Sequence, residues 1–433
     1  MGTAAKNPPR VLLLVSKMGY QTRSFAEAAR RLGLEVLIGS DRCHQLDDPW
    51  SDGAVALHFE QPEQAAANLA EAAQSRPVQG ILALGDRQTV AGALAARALG
   101  LRFNSPESVE NCRSKLRQRE VLDAAGLPVP HFFCFALGED CDAILERVAF
   151  PCVIKPLRLS ASQGVIRANN PAEFAAAVER IARLLASPEI QVTREPELDR
   201  LLVEQYIPGK EVALEGLLDG GRLRVLALFD KPDPLEGPYF EETIYVTPSR
   251  LPAETQTRIF DSAAQTVSAL GLTEGPLHME FRVNDGRPWV LEAAPRPIGG
   301  LCARSLRFGP DRISLEELLV RHAMGLAGTD LPRERQASGV MMIPVPRSGV
   351  LEAVEGVEDA KAIADVGEIE ISARVYDTIA AWPEGASYLG FIFARAETPG
   401  AVETALRAAH QALRIRITPR LAVADPMAGY RAV

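Results

Sequence analysis

Two carboxylates and an arginine stand close enough along this chain to do chemistry together. Leu277 to Val283 alternates apolar with polar residues, the period of a half-buried strand, so His278, Glu280 and Arg282 share its polar face. Asn284-Asp285-Gly286 is turn chemistry, and Pro288 to Glu292 returns as the partner strand. Register decides whether Glu280 and Glu292 meet. A two-residue Asp-Gly loop pairs Glu280 with Leu291 and turns Glu292 to the other face. A three-residue loop, Asn284 to Gly286, pairs Glu292 with His278 and leaves Glu280 one diagonal step away, so an odd loop length is the expectation. Adjacent carboxylates repel unless a cation lies between them. Oxygen ligands favour Mg²⁺, with Mn²⁺ as a substitute, held by one or two carboxylates together with substrate phosphates. A solvated polar face is the plainer reading of two glutamates, and the residues C-terminal to Glu292 argue against it. Arg296 can face an anionic group, and Gly299-Gly300 lets backbone N–H groups approach an anion closely.

The elements that must position these residues are legible in outline. From Val11 the chain reads strand (VLLLV), helix (SFAEAARRLG), strand (LEVLIGS), an Ala-rich helix, strand (GILALGD) and helix (TVAGALAARALG), the alternation of a doubly wound parallel sheet. The loop Ser16-Lys17-Met18-Gly19-Tyr20 lacks G-x-G-x-x-G, which argues against a redox dinucleotide. A helix from Ser108 to Ala125 ends at Gly126, before Pro128 and Pro130, where a domain boundary is expected. The expected division is 1–126, 127–200, 201–325 and a smaller α+β unit, 326–433.

Composition narrows the function classes. The 433 residues are 47% apolar and 24% charged, ordinary globular values for two to four domains. Met1 to Arg10 lacks the apolar run of a signal peptide, and no stretch approaches the roughly 18 apolar residues of a membrane span, so a cytoplasmic chain without membrane partners is expected. A net charge of −9 disfavours nucleic acid. Cys43, Cys112, Cys134, Cys141, Cys152 and Cys302 show neither zinc-finger nor disulfide-framework spacing.

With Glu280, Glu292, Arg296 and the glycine pair in this order, the sequence resembles the ATP-grasp superfamily, and within it carboxylate-amine ligases such as L-amino acid ligases and biotin carboxylase-like enzymes, from Val11 to about Thr418. The resemblance implies an α/β protein: a Rossmann-like pre-ATP-grasp domain (1–126), a small lobe with a phosphate loop (127–200), a large lobe with the metal and substrate site (201–325), and a C-terminal α+β subdomain (326–433). It implies ATP and Mg²⁺ bound by Glu280 and Glu292, small-molecule carboxylate and amine substrates, and a homodimer as a plausible assembly.

Residue by residue, the resemblance implies that Lys155, in Phe150 to Pro156, contacts the nucleotide phosphates. The loop RLSASQG (Arg158 to Gly164) would cover them, with Ser160 and Ser162 as hydroxyl donors and Gly164 as its one glycine. Leu201 to Glu211 resembles the hinge between the lobes: Glu204 at the adenine, Gln205 and Ile207 through backbone groups, and Glu211, seven residues on, at the ribose. Lys115 sits where the family often places a basic residue that reaches the phosphates, with Arg113, Arg117 and Arg119 as neighbouring alternatives. Arg296 would stabilise an oxyanion, with Gly299 and Gly300 beside it, and His278 would orient substrate. Glu274 and Gly275 lie where relatives touch an amine. Ala294 stands where many members have a metal-binding Asn, a departure that points to the L-amino acid ligase branch. The implied reaction passes through an acyl phosphate. A bicarbonate- or formate-using ligase and a non-catalytic nucleotide-binding module are the alternatives.

Overall fold

The structure is a computed structural model that describes residues 7–16, 20–41 and 53–419. Part of the loop after the first strand, and Cys43, lie outside the described residues. The Val11–Val15 apolar run forms the strand Arg10–Val15, flanked by parallel partners Glu35–Ser40 and Gly80–Ala83, with Ala54–Ala56 at the edge. Alternate residues feed two cores. Val11 and Leu13 pack with Phe25 and Ala29 on one face, and Leu12 and Leu14 with Leu69, Ala91 and Ala95 on the other. This is the expected doubly wound unit.

A four-stranded antiparallel sheet follows, in the order Phe132–Ala136, Arg200–Gln205, Cys152–Pro156, Ile166–Ala168. The helix Pro171–Leu185 covers it, its N-terminus capped by Asn170, whose side chain accepts from the Glu173 N–H, and its Phe174 and Ile181 fully buried. Because Arg200–Gln205 is an inner strand here, this sheet extends past the expected boundary at residue 200.

The largest sheet has eight strands, all paired antiparallel, running from the Arg287–Ala294 edge through Gly275–Asn284, Lys210–Asp219, Arg222–Asp230, Ile244–Thr247, Ala337–Ile343 and Gly390–Ala396 to Val366–Ile371. Its last three strands come from beyond residue 325 and join it at Ile244–Thr247, so the C-terminal unit shares this sheet while keeping a core of its own around Met341, Ile392, Leu406 and Ile417. The long helix expected from Ser108 to Ala125 is broken at Ser114, whose extended backbone separates Pro106–Arg113 from Lys115–Ala124. The Lys115 N–H is donated to Leu157 O at 3.0 Å. No helix among the described residues is long and apolar enough to cross a membrane, and Cys112, Cys134, Cys141, Cys152 and Cys302 are unbridged.

Candidate functional site

The three sheets enclose a cavity of about 540 Å³. Its floor is the hairpin of Gly275–Asn284 and Arg287–Ala294, and here the register departs from expectation. The loop is the two-residue Asp285-Gly286 turn, with φ of 49° and 73°, the left-handed pair that Asp-Gly favours. It pairs Asn284 with Arg287, which by itself would set Glu280 against Leu291. A β-bulge between Glu280 and Phe281 absorbs Leu291 as an extra residue and brings Glu292 directly opposite Glu280. The bulge supplies the parity that an odd loop was expected to supply.

Glu280 sits among charges from three strands. Lys231, just past Arg222–Asp230, places Nζ 2.8 Å from Glu211 and 3.3 Å from Glu280, and also bonds Glu242. Oxygens of Glu211, Glu242 and Glu280 lie within 4.8 Å of one another. Burial disfavours an ammonium, yet the three carboxylates hold Lys231 well above its ordinary range. Burial also raises Glu280, but Lys231 and His278 outweigh it and keep this carboxyl well below the usual value. For Glu242, burial and then repulsion from Glu280 prevail, moving it up to about 7. Tyr245 donates its hydroxyl to Glu242 at 2.8 Å.

His278 lies between Glu215, 2.5 Å from Nδ1, and Glu280, 3.3 Å from Nε2. Burial opposes its charge, but Glu215 and Glu280 raise it to about 9. Glu215 also accepts from the Ile298 N–H at 3.2 Å, tying the strand Lys210–Asp219 to the segment after the hairpin. Arg296 donates from Nε to Asp86 at 2.8 Å and from Nη1 to Pro297 O at 3.0 Å. Burial favours a neutral Asp86 carboxyl, and Arg296 overrides it, holding the carboxyl low. Gly300 has φ of 62°, and a Cβ there would come within 2.8 Å of the Phe391 ring, so glycine is required; Gly299 has open space around it. Both line the cavity with Arg296 and Glu292.

Beside the Arg287–Ala294 strand, the helix broken at Ser114 separates the roles of its basic residues. Lys115 donates to Leu159 O at 2.5 Å and lies 3.9 Å from Glu292. Arg113 pairs with Glu195, and Arg117 donates to Asn111. Arg119, fully buried, donates to Glu204 at 2.7 Å. Lys155 Nζ reaches the other Glu204 oxygen at 2.6 Å. Burial lowers Lys155 despite this partner. For Glu204 burial acts upward, but Arg119 and Lys155 together bring the carboxyl down to about 2. Its stabilising contribution is therefore present above pH 4.5 and lost as pH falls through about 2. Glu204→Gln leaves two buried cations without their shared anion and is expected to destabilise the fold by about 3–5 kcal/mol at neutral pH. Urea melts at pH 7 check this: a loss under about 1 kcal/mol would mean that the triad contributes little.

At the hinge, the Gln205 N–H is donated to His131 O and the Tyr206 N–H to Pro151 O. Glu211 is held by Lys231 and, at 3.2 Å, by Arg282. Glu204, Gln205, Ile207 and Glu211 all line the cavity. The loop above it has three left-handed residues, Ala161, Ser162 and Gly164. Its anchor comes from residues distant in sequence: Trp382 donates Nε1 to Ala161 O at 3.1 Å, Gln163 its amide to Glu384 O at 2.8 Å, and Gly164 its N–H to Pro383 O at 3.0 Å. A loop with one glycine is thereby held in place over the cavity.

Glu274 is not at the cavity. It pairs with Arg102 at 2.9 Å and accepts from the Gly220 N–H. The chemically loaded residues not singled out from sequence are Lys231, Glu215 and Asp86. Lys231 carried a signal, since it follows an apolar strand (VLALFD) much as Lys155 ends the CVIKP strand. Glu215 looks like one polar residue inside a core strand, and Asp86 only acquires a role through a partner 210 residues away.

Comparison with known proteins identifies the domains that carry this cavity. Residues 148–305 match the ATP-grasp domain, 26–102 the ATP-grasp N-terminal domain, and 341–418 the L-amino acid ligase C-terminal domain 2. The structure is similar to the crystal structure of an L-amino acid ligase from Bacillus licheniformis, with a TM-score of 0.78 and 27% identity over 95% of this chain and 100% of that one. An uncharacterized protein of Sinorhizobium fredii, y4rH, is 25% identical over 95% of this chain and 84% of its own length. The alanine–anticapsin ligase of Bacillus subtilis is 27% identical over 52% of this chain and 50% of that enzyme, so the match spans about half of that relative. With these domains in the same order along the chain and the ligase fold along nearly all of its length, this protein belongs to the ATP-grasp superfamily of ATP-dependent ligases.

Proposed function

We propose that this chain joins the carboxylate of an amino acid to an amine, through an acyl phosphate formed at the expense of ATP. The observation that carries the proposal is the pairing of Glu280 with Glu292 on the cavity floor, beside Arg296 and facing Lys115. The donor chemistry fits Mg²⁺: Glu280 and Glu292 offer carboxylates from directly opposed strand positions, and both line the cavity. Glu280 and Glu292 would hold the cation, which when bound neutralises phosphate charge and polarises the reacting oxygens.

The chain's own residues do the rest. Lys155 and Lys115 offer positive charge to the phosphates beneath the 158–164 loop. The loop, latched by Trp382, Pro383 and Glu384, excludes water that would otherwise intercept the acyl phosphate. Lys231 balances Glu211, Glu242 and Glu280, so the pocket tolerates this concentration of acid before any cation arrives. His278, kept protonated by Glu215, orients Glu280. Arg296, its plane fixed by Asp86 and Pro297 O, faces the oxyanion that forms when the amine attacks the acyl carbon and phosphate leaves. The proposed division of labour assigns the nucleotide to the clasping sheets and the organic substrates to the Arg296, Gly299 and Gly300 end.

The resemblance of residues 341–418 to an L-amino acid ligase domain favours amino acids over bicarbonate or formate. Phosphate release from Mg²⁺-ATP, measured against pairs of the common amino acids, should rise only when a suitable pair is present. Release with bicarbonate or formate alone would sustain the carboxylase or formate reading instead. ATP binding with no release under any pair would leave a nucleotide-binding module.

A further inference from the structure

A second constellation of metal-ligand type lies outside the cavity. Asp219 ends the strand Lys210–Asp219, and Glu274 precedes the neighbouring strand, where Gly275 pairs with Leu218, so the two carboxylates emerge side by side. His322, in the last turn of the helix Leu315–Ala323, points its Nε2 between them, 3.9 Å from Asp219 Oδ1 and 3.9 Å from Glu274 Oε2. The His322 side chain is only 6% exposed, and Nε2 has no hydrogen-bond partner among the described residues. A buried polar nitrogen without a partner costs free energy unless something satisfies it. Arg102 bridges Asp219 and Glu274 from the solvent side, with 45% of its side chain exposed.

We propose that Asp219, Glu274 and His322 form a Zn²⁺ site in which Arg102 is the resident countercharge that the metal displaces. One imidazole nitrogen and two carboxylate oxygens are a donor set that Zn²⁺ takes readily and Mg²⁺ does not, because Mg²⁺ prefers oxygen ligands alone. Burial and the Arg102 charge push the imidazole down, which leaves its lone pair free for a metal at neutral pH. Ligands about 2.0–2.1 Å from a tetrahedral centre stand roughly 3.3 Å apart. The 3.9 Å separations therefore need only small shifts, available at Asp219, whose side chain is 71% exposed. Glu274 is oriented by the Gly220 N–H, which its other oxygen accepts. The metal would pin the helix that carries His322 to the edge of two central strands.

The full-length protein, stripped with chelator and held in excess Mg²⁺, is titrated with Zn²⁺ by calorimetry and followed in thermal melts. One Zn²⁺ should bind and raise the melting temperature. His322→Ala should weaken that binding by at least about 100-fold, beyond the usual loss for a group that merely supports a ligand. Arg102→Ala should tighten it by about tenfold, since the competing charge is gone. Asp219→Asn, at an exposed turn, and His322→Gln carry the test if His322→Ala does not fold. Absence of Zn²⁺ binding by the unaltered chain, unchanged titration in the His322 and Asp219 variants, or weaker binding in Arg102→Ala would each overturn the site.

Discussion

Glu280→Gln is expected to lower Mg²⁺-ATP turnover by roughly 10³-fold while the protein stays folded. Metal-ion stabilisation of a transferring phosphoryl group contributes several kcal/mol, and each 1.36 kcal/mol is a factor of about ten in rate. Glu280 is the carboxylate with the most to lose. It lies opposite Glu292, beside Lys231 and His278, and its charge is held by that surrounding even at low pH. The fold should survive because Lys231 keeps Glu211 and Glu242 as partners. Glu292→Gln should act in the same direction with a smaller effect, since this carboxylate is nearer the rim and Lys115 stands 3.9 Å away. Turnover across a Mg²⁺ titration, alongside thermal melts, reads both variants. A lowered melting temperature with unaltered turnover would make the pair structural.

Arg296→Ala should reduce turnover by about 10²–10³-fold, the cost usually seen for removing one donor aimed at a developing oxyanion. The structure adds a reason for this magnitude. Asp86 and Pro297 O fix the guanidinium before any substrate binds, so little reorganisation is left for the reaction itself. Removal also leaves Asp86 buried without its principal partner, so melts must accompany the kinetics. A loss that falls mainly on turnover rather than on the substrate concentration needed for half-maximal rate would place Arg296 in the transition state. Near-normal turnover in a folded variant would remove it from the reaction.

Much of the layout was legible because local signals suffice for local structure. The Val11–Val15 run and the turn signal at Asn284-Asp285-Gly286 each specify an element from a few adjacent residues, and both elements formed, although the turn closes with two residues rather than three. The site was legible as a set of residues: Glu280, Glu292, Arg296, Lys155 and Lys115 all line one cavity. Their partnerships were not. Glu204 resembled a nucleotide contact, and the structure shows its carboxylate already engaged by Arg119, 85 residues earlier, and by Lys155. The borders expected at 200 and 325 are crossed by sheet pairing for a related cause. A strand's sheet membership depends on its hydrogen-bonding neighbours, and Arg200–Gln205 and Ala337–Ile343 found theirs across the expected borders.

The glutamate pair shows where the division falls. By itself the sequence determined that Glu280 and Glu292 lie on two strands joined by a tight turn, because alternation and turn chemistry are properties of neighbouring residues. Whether they share a face was decided only in the tertiary structure. Side-chain direction in a strand has a period of two, so one extra residue reverses it. The Leu291 bulge, placed where Gly275–Asn284 is also paired to Lys210–Asp219, supplied that residue. The same holds for Lys231 and the loop latched by Trp382: their charges and glycines are written in the chain, but the carboxylates and carbonyls that give them a role arrive from distant strands.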